Sequence, residues 1–290
     1  VVQRDPDSGE LSAANASCRT ANVAEAPTCA SENYDRLGAD VVELVVAPDG
    51  STLHALARTG PETQLVTYAR AADASITPTS CLSNSSAHCN WPFAEKRALL
   101  DHATQLVIAP DGVDAYLASP KGVVHLARVE ATGELVVDDC VGDGEDVKGL
   151  CDKGPGDFTG VSHLSMTDDD QVIAIAYGDD SKSVVRLLRD ASGTLTEAGC
   201  IGTADEDGCG LAAGVTNPRV ATATPDGKNV VIAGDPGDPF VTLIAGSFTG
   251  LRPIPLGATG CSGVQGATPP AGCTADVRGV VTQAGPGSSG

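Results

Sequence analysis

One sequence pattern recurs along this chain and constrains its fold more than any other feature. The stretch 41–58, VVELVVAPDGSTLHALAR, reads as an apolar strand, a Pro-Asp-Gly turn and a second strand. Apolar runs on both sides of a tight turn that contains glycine are typical of a β-hairpin. Related stretches begin at Ala103, Val161, Asn217 and, in degenerate form, Ala275. The chain is therefore predicted to repeat one structural unit of about 60 residues.

The first repeat shows what one unit contains. Four strands are predicted in it, followed by a pair of cysteines; the strands cover 41–47, 53–58, 64–70 and 75–80. Four antiparallel strands form one blade of a β-propeller, an architecture in which radial repetition protects the sheet edges. Valine, isoleucine and leucine occupy both faces of the strands, as sheets buried between neighbouring blades require. The predicted fold class is all-β, a β-propeller of four-stranded antiparallel blades.

Five blades are predicted from the repeats. Four are continuous in sequence and cover 41–81, 103–140, 161–200 and 217–261. The fifth is shared by the termini, 1–18 and 275–284, because the N-terminal segment matches the third and fourth strands of other repeats and the C-terminal segment matches a first strand. A single domain, 1–284, is expected, with a flexible tail at 285–290. The shared blade lacks a second strand, so part of a seven-bladed ring is the alternative.

The ten cysteines fall into five local pairs, one for each repeat. The pairs are Cys18 with Cys29, Cys81 with Cys89, Cys140 with Cys151, Cys200 with Cys209, and Cys261 with Cys273. Because every repeat contains two cysteines, pairing within the repeat is favoured and five disulfides are predicted. A zinc site is disfavoured, since short C-x-x-C spacing is absent. Disulfides of this kind are typical of proteins outside the cytosol, so a secreted or cell-surface protein is expected.

The charge of the chain excludes some classes of partner. Eighteen basic residues against 38 acidic residues give a net charge of −20. An acidic surface of this kind repels nucleic acid phosphates and anionic lipids. The sequence contains no run of 18 apolar residues, so no transmembrane segment is predicted. The oligomeric state stays open.

Two parts of the repeat resemble a known family. The pattern x-P-D-G-x-x-x-Y-x-A at 109–118 and the pattern V-x-x-x-x-R-x-x-x-G-x-L at 184–195 are similar to repeats of lactonase-like propellers. That family includes 6-phosphogluconolactonase and the carboxymuconate-cycloisomerising enzymes. A Gly-Cys-Ile segment before a second cysteine, at 199–209, resembles secreted bacterial members. The resemblance implies the propeller fold; its enzymes have seven blades and no regular disulfides, and no catalytic residue is carried over from them.

Five polar residues are predicted to form a ring around the central channel. When the first strands are aligned by their turns, one place is polar in every repeat, and it holds Glu43, Gln105, His163, Arg219 and Arg278. The innermost strand of each blade borders the channel. Polar groups are costly to bury without hydrogen bonds, so this place is expected to face water, a ligand or the other ring members.

The ring has two interpretations. In a ligand site, Arg219 and Arg278 would bind a carboxylate, His163 would carry a proton and Glu43 would act as base. In a hydrated channel, Glu43 would pair with an arginine and nothing would bind, since structural ion pairs cluster charges as sites do.

Other candidate sites have weaker signals. Oxygen ligands for calcium could come from three successive aspartates, Asp168, Asp169 and Asp170. Aspartate is also a common turn residue, so no metal or cofactor is predicted, and calcium is the alternative. Asn15 and Asn84 begin N-glycosylation sequons, which matter if the source glycosylates. The chain has no G-x-S-x-G elbow and every cysteine is assigned to a disulfide, so no catalytic nucleophile is predicted.

These features predict an acidic, secreted, disulfide-stapled β-propeller that acts as an extracellular binding or assembly module. The expected partner is another extracellular protein or a small anionic ligand. The alternative is a lactonase-like hydrolase or isomerase that acts on a small sugar acid or lactone in the central channel. Fold does not decide between them, because propellers host both. An enzyme needs His163, an arginine and Glu43 within hydrogen-bond reach of one substrate atom, and the sequence leans against catalysis.

Overall fold

The computed structural model describes most of the chain between residues 40 and 245, together with short N-terminal segments. The described residues are 2–4, 11–13, 19–20, 30–31, 40–73, 75–84, 89, 94–142, 151–154, 158–167, 171–177, 182–202, 209–211, 218–223, 229–234 and 241–245. This part of the chain is built almost entirely of β-strands. None of its helices has the length and hydrophobicity that a membrane span needs.

The N-terminal strands form two small sheets. Strand β1 (Val2–Arg4) pairs antiparallel with β2 (Leu11–Ala13), and β3 (Arg19–Thr20) pairs parallel with β4 (Ala30–Ser31). The antiparallel pair covers the residues that were matched by sequence to third and fourth strands of a blade.

Four larger sheets follow in chain order and form the blades. The first blade contains β5 (Val41–Val46), β6 (Thr52–Thr59), β7 (Glu62–Arg70) and β8 (Ile76–Ser83), and a 3-10 helix, η1 (Ala94–Leu100), follows it. The second contains β9 (Gln105–Ile108), β10 (Asp114–Ser119), β11 (Gly122–Arg128), β12 (Leu135–Gly142) and β13 (Asp152–Lys153). The third contains β14 (His163–Met166), β15 (Gln171–Tyr177), β16 (Lys182–Arg189), β17 (Leu195–Gly202) and β18 (Gly210–Leu211). The fourth contains β19 (Pro218–Ala223), β20 (Asn229–Gly234) and β21 (Val241–Ala245).

The order of strands in these sheets confirms the β-propeller. In the first three blades the four main strands are neighbours in sequence order and pair antiparallel, and the fourth blade shows three such strands. The predicted first strand of the shared blade lies outside the described residues, as does all of 246–290. The count of five blades and the shared blade therefore stay predictions.

The Pro-Asp-Gly turns of the first two blades have the same geometry. Gly50 and Gly112 adopt positive φ angles of 68° and 73°, a conformation that glycine enters without steric penalty. Asp49 and Asp111 each accept a hydrogen bond from the backbone N–H two residues further on, at 2.9 and 3.0 Å. Aspartate favours turns for this reason. The repeated turn thus sets the same hairpin at the start of both blades.

Three predicted disulfides lie within the described residues. They are Cys81–Cys89, Cys140–Cys151 and Cys200–Cys209. Beside two of them, the residue after the first cysteine pairs in parallel with the residue after the second: Val141 with Asp152, and Ile201 with Gly210. Cys18, Cys29, Cys261 and Cys273 lie outside the described residues. Arg19 nevertheless pairs in parallel with Ala30, so the backbone beside the predicted first pair has the same arrangement.

Hydrophobic side chains fill the space between neighbouring blades. One cluster joins the first blade to the second and includes Leu56, Leu65, Leu106, Leu117 and Leu126. Another joins the second blade to the third and includes Tyr116, Val123, Leu164, Val172 and Leu187. The second blade therefore buries one face against the first blade and the other face against the third. This face-to-face packing explains why both faces of the strands are apolar.

Candidate functional site

The first strands of the first three blades carry three of the predicted ring residues in one register. Glu43 lies opposite Leu56, Gln105 opposite Ala118, and His163 opposite Ile175. These pairs occupy equivalent places in successive sheets. All three polar side chains are half-buried.

Glu43 and Gln105 bind the backbone of the following blade. The N–H of Leu106 donates to Glu43 Oε2, and the N–H of Leu164 donates to Gln105 Oε1 at 2.7 Å. Burial raises the pKa of Glu43, while its hydrogen bonds with Leu106 and Gln105 lower it. In both cases a ring side chain accepts from the residue that follows the ring place in the next blade. These two side chains thus join neighbouring blades.

His163 makes the same kind of connection with the donor reversed. Its Nε2 donates to the carbonyl oxygen of Ala221 at 3.1 Å, because a carbonyl can only accept. Burial lowers the pKa of His163 below its ordinary value of 6.5, although this hydrogen bond opposes the effect. His163 is therefore a neutral imidazole at pH 7 whose proton is on Nε2.

Of the two arginines of the predicted ring, the structure describes Arg219 alone. Val220 takes the ring place in β19, and Arg219 lies one residue before it, inside a β-bulge between Pro218 and Val220. Ala221, which accepts from His163, accordingly follows Val220 as Leu164 follows His163. The sequence holds the signal, since Val220 stands five residues before the turn proline, as Glu43 does. Arg278 lies outside the described residues.

A buried charged cluster, which sequence reasoning missed, lies in the second blade. The side chain of His125 is 1% exposed and donates from Nε2 to Asp114 Oδ1 at 2.8 Å and from Nδ1 to Asp139 Oδ1 at 3.1 Å. Burial lowers the pKa of His125, but its bonds to Asp139 and Asp114 outweigh this effect and the pKa is raised above 6.5. Its ring stacks on Tyr116 with centroids 5.4 Å apart. Two carboxylates thus favour the protonated form of an imidazole that is buried in the sheet.

An arginine from the third blade completes this cluster. Arg189 donates from Nε to Asp114 Oδ2 at 3.0 Å and from Nη2 to Asp111 Oδ2 at 2.6 Å. The hydroxyl of Tyr116 donates to the carbonyl of Gly193 at 2.7 Å. We name Asp114, His125, Asp139 and Arg189 the His125 cluster. Through Arg189, the cluster joins the third blade to β10 of the second, and the bond of Arg189 to Asp111 adds the Pro-Asp-Gly turn.

The equivalent place in the first blade holds a different polar group. His54 pairs through Nε2 with Thr52 Oγ1 and through Nδ1 with Thr67 Oγ1, both at 3.2 Å. Burial, with Arg128 nearby, lowers the pKa of His54 to about 4. Arg128 extends from the second blade and donates to Asp49 Oδ2 at 3.0 Å. Arg128 and Arg189 each lie at the end of a third strand. Each thus binds the Pro-Asp-Gly turn of the preceding blade. The V-x-x-x-x-R pattern was a signal for this role, since Arg189 is its arginine.

Of the other predicted site residues, the structure describes Asn84 alone. The amide of Asn84 donates to Pro61 O and Asp101 Oδ1, and its Oδ1 accepts from the N–H of Thr63, so the folded chain uses this side chain for structure. Asn15 and the calcium candidates Asp168, Asp169 and Asp170 lie outside the described residues. In the part of the chain that the structure describes, no group of three or more histidine, cysteine, aspartate or glutamate side chains is arranged to hold a metal ion.

Comparison with known proteins identifies the class of fold. No family model matches the chain, and no curated protein matches it. Among solved structures, a candidate 6-phosphogluconolactonase from Bacteroides fragilis superposes with a TM-score of 0.50 at 16% identity, over 74% of this chain and 53% of that protein. A protein from Lactobacillus plantarum superposes with a TM-score of 0.50 at 17% identity, over 74% of this chain and 54% of that protein.

The chain thus shares its fold with these two solved structures, and the strand order of its sheets makes that fold a β-propeller, as its repeat predicted. It spans about half the length of these two relatives. Structural similarity at identities this low shows the fold alone. The function therefore has to be argued from the side chains.

Proposed function

We propose that this chain is an extracellular, disulfide-stapled β-propeller that acts as a binding or assembly module. The observation that supports it best is the use of the ring side chains. Glu43, Gln105 and His163 each make a hydrogen bond to the backbone of the next blade. A general base must be within hydrogen-bond reach of the proton that it removes, and these bonds direct the three groups to main chain instead. Their arrangement therefore favours a structural ring.

The proposed compartment follows from the disulfides. Three disulfides close loops of 8, 11 and 9 residues, one at the end of each of the first three blades. Structural disulfides persist in oxidising environments, which favours secretion or the cell surface. Closing loops of this size stabilises a fold by about 2 to 3 kcal/mol each in the chain-entropy model. The module would thereby keep its loops fixed outside the cell, where it meets an extracellular protein or a small anionic ligand.

A lactonase-like hydrolase or isomerase is the second candidate. The B. fragilis relative is named as a candidate 6-phosphogluconolactonase. His163 is the residue that favours this function, because a neutral imidazole that donates from Nε2 has its lone pair on Nδ1, the form that a general base needs.

One pair of variants separates the two functions. We expect the wild-type chain to hydrolyse a panel of sugar lactones, including phosphorylated gluconolactone, at the rate of buffer alone. His163→Ala should lower the free energy of unfolding by about 1 kcal/mol, because the donor to Ala221 is lost. His163→Gln is the matched control, since its amide retains a donor but lacks an imidazole base. Turnover that both variants abolish, without a loss of stability in His163→Gln, would establish the enzyme and contradict the module.

A small anionic ligand is tested at the two arginines that the sequence predicted to bind a carboxylate. Calorimetric titration with gluconate should give binding heat that Arg219→Ala and Arg278→Ala both reduce if an anion binds in the channel. Binding heat that neither variant changes would assign the anion to another site, whereas no binding heat would leave a protein partner as the proposal.

A further inference from the structure

The fourth strand is the outermost main strand of a blade, and in two blades a short strand covers part of its edge. β13 pairs in parallel with the end of β12, and β18 pairs in parallel with the end of β17. We name β13 and β18 the edge guards. An uncovered strand edge offers its N–H and C=O groups to a strand of another chain, and covering the edge prevents such pairing. The guards therefore lie where another chain could otherwise add a strand.

Each guard is held in place by the disulfide beside it. The Cα atoms are 4.6 Å apart in Cys140–Cys151 and 4.8 Å apart in Cys200–Cys209. Neighbouring strands of a sheet lie about 4.8 Å apart. Each disulfide thus joins direct neighbours across a parallel pair, and pairing begins at the next residue of both strands. A guard of two residues makes few hydrogen bonds, so the covalent link is what keeps it on the edge.

A β-bulge and an acidic side chain protect the earlier part of the fourth strand. The pairing of β12 with β11 shifts between Val124 and Leu126, and the pairing of β17 with β16 shifts at the equivalent place. Asp138, beside the first of these bulges, has a side chain that is 61% exposed. Bulges and charged side chains both disfavour the addition of a strand. The segments after the bulges, 140–142 and 200–202, carry no charge, and there the guards supply the protection.

The direction of the backbone groups shows how the guard of the second blade binds. The N–H of Gly154 donates to the carbonyl oxygen of Gly142 at 2.9 Å. Successive residues of a strand direct their backbone groups to opposite sides. The N–H of Asp152 therefore also points at β12, whereas that of Lys153 points away. By the same alternation, Cys140 presents its N–H to the outer edge of β12, as Gly142 does.

We propose that the edge guards keep this chain from pairing with itself, and that β12, once its guard is released, pairs with β12 of a second copy. A second copy is the occupant because two identical edges that meet antiparallel around a two-fold axis satisfy the backbone groups of both strands at once. Val141, in the released segment, is β-branched and favours such pairing. This inference goes beyond the proposed function, because it concerns contacts between copies of the chain and not an extracellular partner.

The first test releases the guard in the full chain. Cys140→Ser combined with Cys151→Ser should lower the hydrogen-exchange protection of the Gly154 amide by about tenfold or more. The mass in light scattering should rise with protein concentration toward about twice the wild-type mass. Val124→Ala is the control for lost stability, because it removes buried methyl groups from β11 and leaves the guard in place. A serine variant that loses protection at Gly154 but keeps the wild-type mass would overturn the proposal, as would an equal rise in mass for Val124→Ala.

A second pair of variants keeps the disulfide intact, so that the proposal stays testable if the serine variant does not fold. Asp152→Pro removes the guard N–H that points at β12, and it should raise the mass with concentration as the serine variant does. Lys153→Pro is the matched control, because its N–H points away from β12, and it should behave like the wild type. Equal masses for these two variants would contradict the role of the guard.

A third variant tests whether the copies meet at this edge. Cys140→Pro combined with Cys151→Ser also opens the disulfide, but proline lacks the N–H that residue 140 presents to the edge. An edge strand tolerates proline where the N–H faces outward. The mass should therefore stay at the wild-type value at every concentration. A rise equal to that of the serine variant would overturn pairing through the edge of β12.

Discussion

The histidines of the first and second blades lie at the same cross-strand pair of their sheets. His54 lies on β6 opposite Thr67, and His125 lies on β11 opposite Tyr116. Both rings are buried, and each joint includes an arginine from the following blade. The partners differ: hydroxyl groups bind the first ring, whereas carboxylates bind the second.

This difference shifts the pKa values of two similar rings in opposite directions. Burial penalises the charged form in both sites. Hydroxyl groups do not offset that penalty, so the pKa of His54 falls to about 4. Two carboxylates do offset it, so the pKa of His125 rises. The third blade has Arg186 at the place of His125, and this side chain donates to Gln171 Oε1 at 2.6 Å. The repeat thus determines where a buried polar side chain lies in each blade. The side chains around it determine whether its charged form is favoured.

The largest difference between the two joints should be seen when a carboxylate is removed. Asp114→Ala leaves His125 and Arg189 buried without their shared partner, and removing one member of a buried ion pair costs about 3 to 5 kcal/mol. Thr52→Ala, at the same place in the first blade, removes the hydrogen bonds of one hydroxyl with His54 and Arg128 and should cost about 1 to 2 kcal/mol. Denaturant unfolding at pH 7 measures both. Equal losses would mean that the His125 cluster is not an ionic joint.

Acid should weaken the first joint selectively. The pKa of His54 is about 4 in the folded chain against an ordinary value of 6.5. Between these values the unfolded chain binds the proton first, so the free energy of unfolding should fall as pH falls, by roughly 3 kcal/mol in full. His54→Asn should remove this part of the pH dependence. Identical slopes of wild type and variant between pH 6.5 and 4 would show that His54 is not held neutral.

Alkali should weaken the second joint. The pKa of His125 is raised, so its contribution to stability is fully present below 6.5 and is lost as pH rises through the folded value. His125→Asn should lower stability at pH 6 more than at pH 9 in denaturant unfolding. A loss that is the same at both pH values would indicate a neutral histidine.

The smallest expected difference is between two glycine substitutions, and the first of these glycines lies over the His125 ring. Gly193 has φ 85°, and a Cβ there would lie 2.5 Å from His125 Nε2 and 2.6 Å from Asp114 Oδ1. Gly193→Ala should therefore cost about 2 to 3 kcal/mol, since overpacking is added to backbone strain. Gly60→Ala is the control for strain alone, because φ there is 59° and nothing lies within 4 Å of the added carbon. It should cost about 1 kcal/mol. Equal melting temperatures for the two variants would contradict close packing over His125.

Much of the fold was predictable because each repeat marks its own limits. The Pro-Asp-Gly turn fixes the first hairpin, and the cysteine pair marks the end of the fourth strand. Glu43, Gln105 and His163 were found in one register because polar residues interrupt apolar strands there. Arg219 was misplaced by one residue in the alignment, since it stands six residues before its turn proline and Glu43 stands five residues before its own.

The His125 cluster was not predictable from spacing. Its members come from β10, β11, β12 and β16, and the last belongs to another blade. No sequence period reports how neighbouring blades face each other at side-chain level. The hydrogen bonds of the ring to the next blade were missed for the same reason.

The central claim is that the buried polar side chains of these blades hold strands and neighbouring blades together by hydrogen bonds and ion pairs. The most direct test is a titration of the histidine ring signals by NMR. His125 should titrate above 6.5, His54 at about 4, and His163 below 6.5. The His163 signal should not move when gluconolactone is added, because its Nε2 proton is held by Ala221. Three histidines that titrate together near 6.5, or a His163 signal that moves with the lactone, would contradict the claim.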